Sequence, residues 1–116
     1  MAITYEENLA SQLQMLESTW KLFQTHGVTD DTELALDFCF VTSNEEQAVA
    51  LSRCLDECTV QVRKGGFLFW KKWYVEGQTE PMRTTYDGLK EWLQNMVATG
   101  WKYDCEFDGF GARMPC

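Results

Sequence analysis

The chain has 116 residues, of which 45% are hydrophobic, 24% charged and 14% aromatic, and only two are proline. That length and apolar content suit one domain, residues 1–116, with its own core, and exclude a disordered or fibrous polypeptide. A formal charge of −8 disfavours general binding to phosphate backbones, so nucleic acid is not the expected ligand, and a basic protein partner suits this surface better.

In chain order, Thr4-Tyr5-Glu6-Glu7 has capping-box spacing, in which the Thr4 hydroxyl and the Glu7 carboxylate serve each other's backbone donors. Leu9, Leu13, Leu16, Trp20 and Phe23 follow at helical intervals, and Gly27 marks the stop, so a helix is predicted over about 4–26. His26, the sole histidine, sits where it can cap that helix. The run ELALDFCFV alternates as one strand, with Leu34, Leu36, Phe38 and Phe40 on one side and Glu33, Asp37, Cys39 and Val41 on the other. Ser43-Asn44-Glu45-Glu46 repeats the capping logic, and Ala48, Leu51, Leu55 and Cys58 form the stripe of a second helix. A hairpin is expected around Val60 to Val75, turning at Lys64-Gly65-Gly66. Tyr86, Leu89, Leu93 and Met96 predict a third helix ending at Gly100, and the alternation Tyr103 to Phe107 predicts a last strand.

After its first helix the order is strand, helix, strand, strand, helix, strand. The expected fold is α+β: a ferredoxin-like split βαβ sandwich (βαββαβ), with a core over about 33–112, a four-stranded antiparallel sheet and an additional N-terminal helix. That helix either extends the helical layer or covers the sheet's other face. The N-terminus has no basic stretch followed by an apolar one, and no run approaches the roughly 18 apolar residues that span a bilayer, so a cytoplasmic location without membrane contact is expected. The five cysteines lack CxxC spacing and point to neither a disulfide framework nor a metal site. Cys54 and Cys58 read as small buried hydrophobes, and Cys116 as an exposed thiol.

The last strand would form an acidic sheet edge beside the first, with Asp104, Glu106 and Asp108 sharing a face with Glu33 and Asp37. Such an edge discourages unwanted strand pairing or docks basic side chains. No nucleophile, metal-binding histidine or phosphate loop accompanies these carboxylates, so neither catalysis nor a cofactor is expected. Trp70, Trp73 and Phe110 are candidate interface anchors, while Gly109 and Gly111 are expected to serve a turn. Lys64-Gly65-Gly66-Phe67-Leu68-Phe69 is similar to an RNA-recognition motif, but Gly66 stands where that motif needs an aromatic. An RNA-binding module remains an alternative.

Tyr103-Asp104 and Phe107-Asp108-Gly109-Phe110-Gly111 resemble the ending of the RraB-like family, regulators of ribonuclease activity that inhibit ribonuclease E. The resemblance extends through Phe38-Cys39-Phe40-Val41, Asn44-Glu45-Glu46-Gln47-Ala48 and Tyr86-Asp87-Gly88-Leu89, covering residues 33–112 as short matches. It implies a protein-binding domain without chemistry of its own. Characterised members carry an acidic C-terminal extension, whereas this sequence ends at Cys116. An immunity protein neutralising a bacterial toxin nuclease, as in contact-dependent growth inhibition, is the alternative. In both readings Asp37, Asp104, Glu106 and Asp108 occupy the positive surface that would otherwise hold phosphates.

Overall fold

Helix α1 (Tyr5–Thr25) starts at the expected capping box. The Glu7 amide donates to the Thr4 hydroxyl at 3.1 Å, and the Thr4 amide donates to the Glu7 carboxylate at 3.0 Å. The helix ends because Gly27 adopts φ +90°, which turns the Gly27 and Val28 amides back onto the Gln24 and Phe23 carbonyls. Val28 and Phe23 are both buried at this turn, and His26 caps it, with Nδ1 3.0 Å from the Leu22 carbonyl oxygen. The structure, a computed structural model, describes residues 4–67 and 70–112, the side chains of Phe67 and Trp70 excepted.

The remaining elements are β1 (Glu33–Leu34), β2 (Leu36–Thr42), α2 (Glu45–Cys54), β3 (Thr59–Phe67), β4 (Trp70–Gln78), β5 (Met82–Arg83), α3 (Tyr86–Lys102) and β6 (Glu106–Ala112). Strands β3, β4, β2 and β6 form, in that order, a four-stranded antiparallel sheet. Helix α2 packs on β4, β3 and β2, and α3 packs on β6. This α+β arrangement is compatible with a ferredoxin-like fold. On β2, Leu36, Phe38, Phe40 and Thr42 are buried while the residues between them are half-exposed, so the helices cover one face of the sheet. Phe40 meets Phe107 edge-on at 5.1 Å, and Trp92 of α3 reaches Phe38, Phe107 and Phe110 in the same geometry.

Three sequence expectations change. The strand predicted from Glu33 to Val41 breaks at Ala35. The Leu36 amide and carbonyl turn to the Thr79 hydroxyl and amide, both at 2.9 Å, and the preceding pair forms a separate ribbon with β5. Lys64-Gly65-Gly66 lies inside β3 opposite Trp73, Lys72 and Lys71, not at the hairpin turn; residues 68–69, between the strands, lie outside the described residues. Gly65 is small because the Tyr74 ring lies across it, where a Cβ would collide. Helix α2, capped by Asn44 through the Gln47 amide, ends at Cys54. Cys54 is exposed there and Cys58 lies beyond the helix, so the two do not form a buried thiol pair. Cys116 is outside the described residues.

Of the two positions open to it, α1 takes the helical layer, packing against α3 and reaching the free edge of β6. Its buried face carries two amides. Asn8 Nδ2 and Gln12 Nε2 donate to the Phe107 carbonyl at 3.1 and 3.2 Å, and Gln12 also approaches the Asp108 carbonyl at 3.4 Å. The outer edge of β6 therefore finds side-chain partners where another strand would otherwise pair.

The open sheet face as a candidate functional site

The sheet face away from α2 and α3 is built by alternate residues, and the register sets them in rows. Gln78, flanked by Thr59 and Asp37, forms the first row, with Gly111 beyond Asp37. Glu76, flanked by Gln61 and Cys39, forms the second, with Gly109 beyond. Tyr74 lies between Arg63 and Val41 in the third, where Val41 faces Glu106, and Lys72 pairs with Gly65 in the last.

Charge along these rows is locally organised. Gln78 Nε2 donates to Asp37 at 2.9 Å, and Arg63 Nε donates to Glu76 at 2.7 Å while its guanidinium carbon stands 4.5 Å from the Tyr74 ring centre. Asp37, Thr59, Gln61, Glu76 and Gln78 line a shallow hollow at the acidic end. Cys39, beside it, is pushed up to about 11 by burial, then by Asp108 and Glu76, which leaves it a neutral thiol at pH 7.

The predicted acidic residues are only partly brought together. Asp37, Glu106 and Asp108 are all on β2 or β6, but the pairing slips between Cys39 and Phe40, so Cys39 faces Gly109, Phe40 faces Phe107, and Asp108 is left as the exposed extra residue of a bulge. Burial raises the Glu106 carboxyl, Asp108 raises it further, and Lys72 acts in the opposite sense. Because the folded form holds that proton more tightly, ionised Glu106 subtracts stability at neutral pH, and the penalty fades as pH falls through the carboxyl range. Glu33 is not part of this face; it sits in the β1–β5 ribbon opposite Arg83.

Asp104 is not a strand residue. It follows the last turn of α3 at φ +53°, donating its amide to the Trp101 carbonyl, while the Cys105 amide reaches the Gly100 carbonyl at 2.9 Å. This is the same helix ending that Gly27 provides for α1, made here with an aspartate in the left-handed region and a negative charge at a negative helix end. Asp104→Gly is expected to stabilise the fold by about 1 kcal/mol and to raise the Tm by about 4 °C, measured by thermal denaturation.

The structure also places the candidate aromatics and corrects the expectation for the two glycines. Trp73, opposite buried Thr42, and Phe110, opposite buried Phe38 and 5.4 Å from Trp92, lie half-buried on the helix-covered side and do not project as anchors from the open face. The Trp70 side chain is outside the described residues. Gly109 and Gly111 are not turn residues: they lie within β6 opposite Cys39 and Asp37, neither has a positive φ, and the space where a Cβ would sit is open. They leave that margin of the open face flat. Sequence reasoning missed Glu76, although two-residue spacing from Tyr74 was enough to place it on the same face, where the register sets it opposite Cys39.

Chemically, the face offers carboxylates and amide oxygens to cations. Among the described residues no group of three His, Cys, Asp or Glu side chains is placed to hold a metal ion, and no helix is long and apolar enough to cross a membrane. Compared with family models and with curated proteins, the chain matches none.

Proposed function

We propose that this is a non-catalytic acidic protein that binds a basic protein partner and inhibits it, the partner being a ribonuclease, as the RraB-like resemblance implies. The observation that supports this reading is an uncovered sheet face whose β2–β6 side carries Asp37, Glu106 and Asp108 around flat glycine positions. Exposed Asp108 and half-exposed Asp37 and Glu106 present negative groups from the sheet to arginines and lysines that would otherwise contact phosphates, steering association and directing charge-assisted hydrogen bonds. Asp104, exposed at the foot of β6, adds a further charge beside that surface. The strand order, with α2 and α3 joining the outer strands to the inner ones, supports a ferredoxin-like split βαβ plan with an added N-terminal helix.

The test is cleavage of an RNA oligonucleotide by ribonuclease E with and without the protein. Wild type is expected to slow cleavage, and Asp104→Lys combined with Glu106→Lys to associate about tenfold more slowly at low salt while keeping its circular dichroism spectrum. Unchanged association by the folded variant removes this patch as the contact. Absence of both binding and inhibition by wild type removes ribonuclease E as the target.

A further inference from the structure

Four of the ten basic residues, Arg63, Lys64, Lys71 and Lys72, fall between Cys58 and Val75, a stretch that holds none of the eighteen acidic ones. The sheet register gathers them at one end. Strand β2 accompanies β4 only as far as Thr42 opposite Trp73, whereas β3 and β4 continue through Gly65–Lys72, Gly66–Lys71 and Phe67–Trp70. The hairpin thus overhangs the sheet as a two-stranded basic arm with Lys64, Lys71 and Lys72 exposed, Lys72 on the open face and Lys64 and Lys71 on the side of Trp73.

On the open face this arm makes a gradient along the strands. Lys72 stands at one end, with Glu106 in the row beside it, and Asp37 and Asp108 lie toward the other, while the Arg63–Glu76 ion pair bridges the middle rows. Among the described residues no helix crosses the face, and Gly109 and Gly111 leave room beside Cys39 and Asp37. A surface positive at one end and negative at the other is complementary to itself under a two-fold rotation about an axis in its plane, perpendicular to the gradient.

We propose that the open face pairs with a second copy of this chain, face to face, so that the Lys72 end of each lies over Asp37 and Asp108 of the other. The interface is isologous and closes at two copies. Each copy carries a net −8, but at about 0.15 M salt the Debye length is about 8 Å, which confines the general repulsion while the apposed ends remain in contact. Pairing would cover the carboxylates assigned above to a basic partner, so that partner would have to displace the second copy. The inference rests on the charge layout and not on the nuclease reading: a monomer leaves that reading untouched, and a dimer indifferent to ribonuclease E leaves this one untouched.

Sedimentation velocity at about 0.15 M salt and protein concentrations up to about 1 mM tests it. Wild type is expected to shift from monomer to dimer. Arg63→Glu with Lys72→Glu, and separately Asp37→Lys with Asp108→Lys, should each weaken self-association at least about tenfold, and an equal mixture of the two variants should restore a dimer. Circular dichroism establishes that both variants are folded. A wild type that stays monomeric throughout, or folded variants that pair as wild type does, overturns the proposal. So does a monomer that binds labelled oligouridylate through these cations, which would assign the arm to phosphate instead.

Discussion

Gly100→Ala is expected to destabilise the protein by about 2 kcal/mol and to lower its Tm by about 8 °C, read by thermal denaturation. In an exposed helix the same change would stabilise by up to about 1 kcal/mol, because alanine is the better helix former. Here the added Cβ would lie 2.5 Å from Phe40 Cε2 and 2.7 Å from the Cys105 carbonyl oxygen. Neither neighbour can retreat easily. The Phe40 ring is fully buried against Phe107, and the Cys105 backbone is fixed by the turn that ends α3. Glycine at this position is what lets α3 lie close on β2, so the packing term outweighs propensity. A Tm equal to or above wild type would mean that α3 does not approach the sheet this closely.

The second large effect is expected at the clasp between α1 and β6. Replacing both Asn8 and Gln12 by alanine should cost about 3 kcal/mol, with each single replacement costing less than half of that. Both amides donate to one carbonyl, that of Phe107, so either can satisfy it alone; only their joint loss leaves a buried acceptor without a partner. Both side chains are also nearly fully buried, at 2% and 5% exposure, so their removal leaves voids between helix and strand. Thermal denaturation gives the energies, and amide hydrogen exchange should show faster opening of β6 in the double variant than in either single one. Strictly additive costs would refute the shared acceptor.

The same residues show where sequence reading reaches its limit. The apolar stripe of α1, the capping box at Thr4 and the alternation along β2 follow from local periodicity, and the structure keeps each of them. Asn8 and Gln12 were hidden because polar residues on a helix read as its wet face. Their signal was positional, since they stand four and eight residues before Leu16 and extend the buried stripe. Lys64-Gly65-Gly66 has turn composition, but Gly65 answers to a tyrosine on the neighbouring strand, a contact that no local pattern contains. The alternation beginning at Tyr103 has the period of a strand, yet its first members close a helix and only Glu106 onward pairs with β2. The acidic edge was therefore legible as composition and only partly as geometry: Asp108 depends on a bulge and Asp104 on a helix ending, both set by tertiary pairing.

The bond from Asn8 to Phe107 spans 99 positions of the chain. During synthesis at roughly 5–20 residues per second, the opening segment would wait on the order of 5–20 s before its acceptor is even made. For that interval the apolar side of α1, with Leu16 and Phe23, has no permanent seat. Maturation of this protein is thus tied to translation of β6, and ribosomes that stall before residue 107 would hold a nascent chain whose first helix is a natural substrate for chaperones.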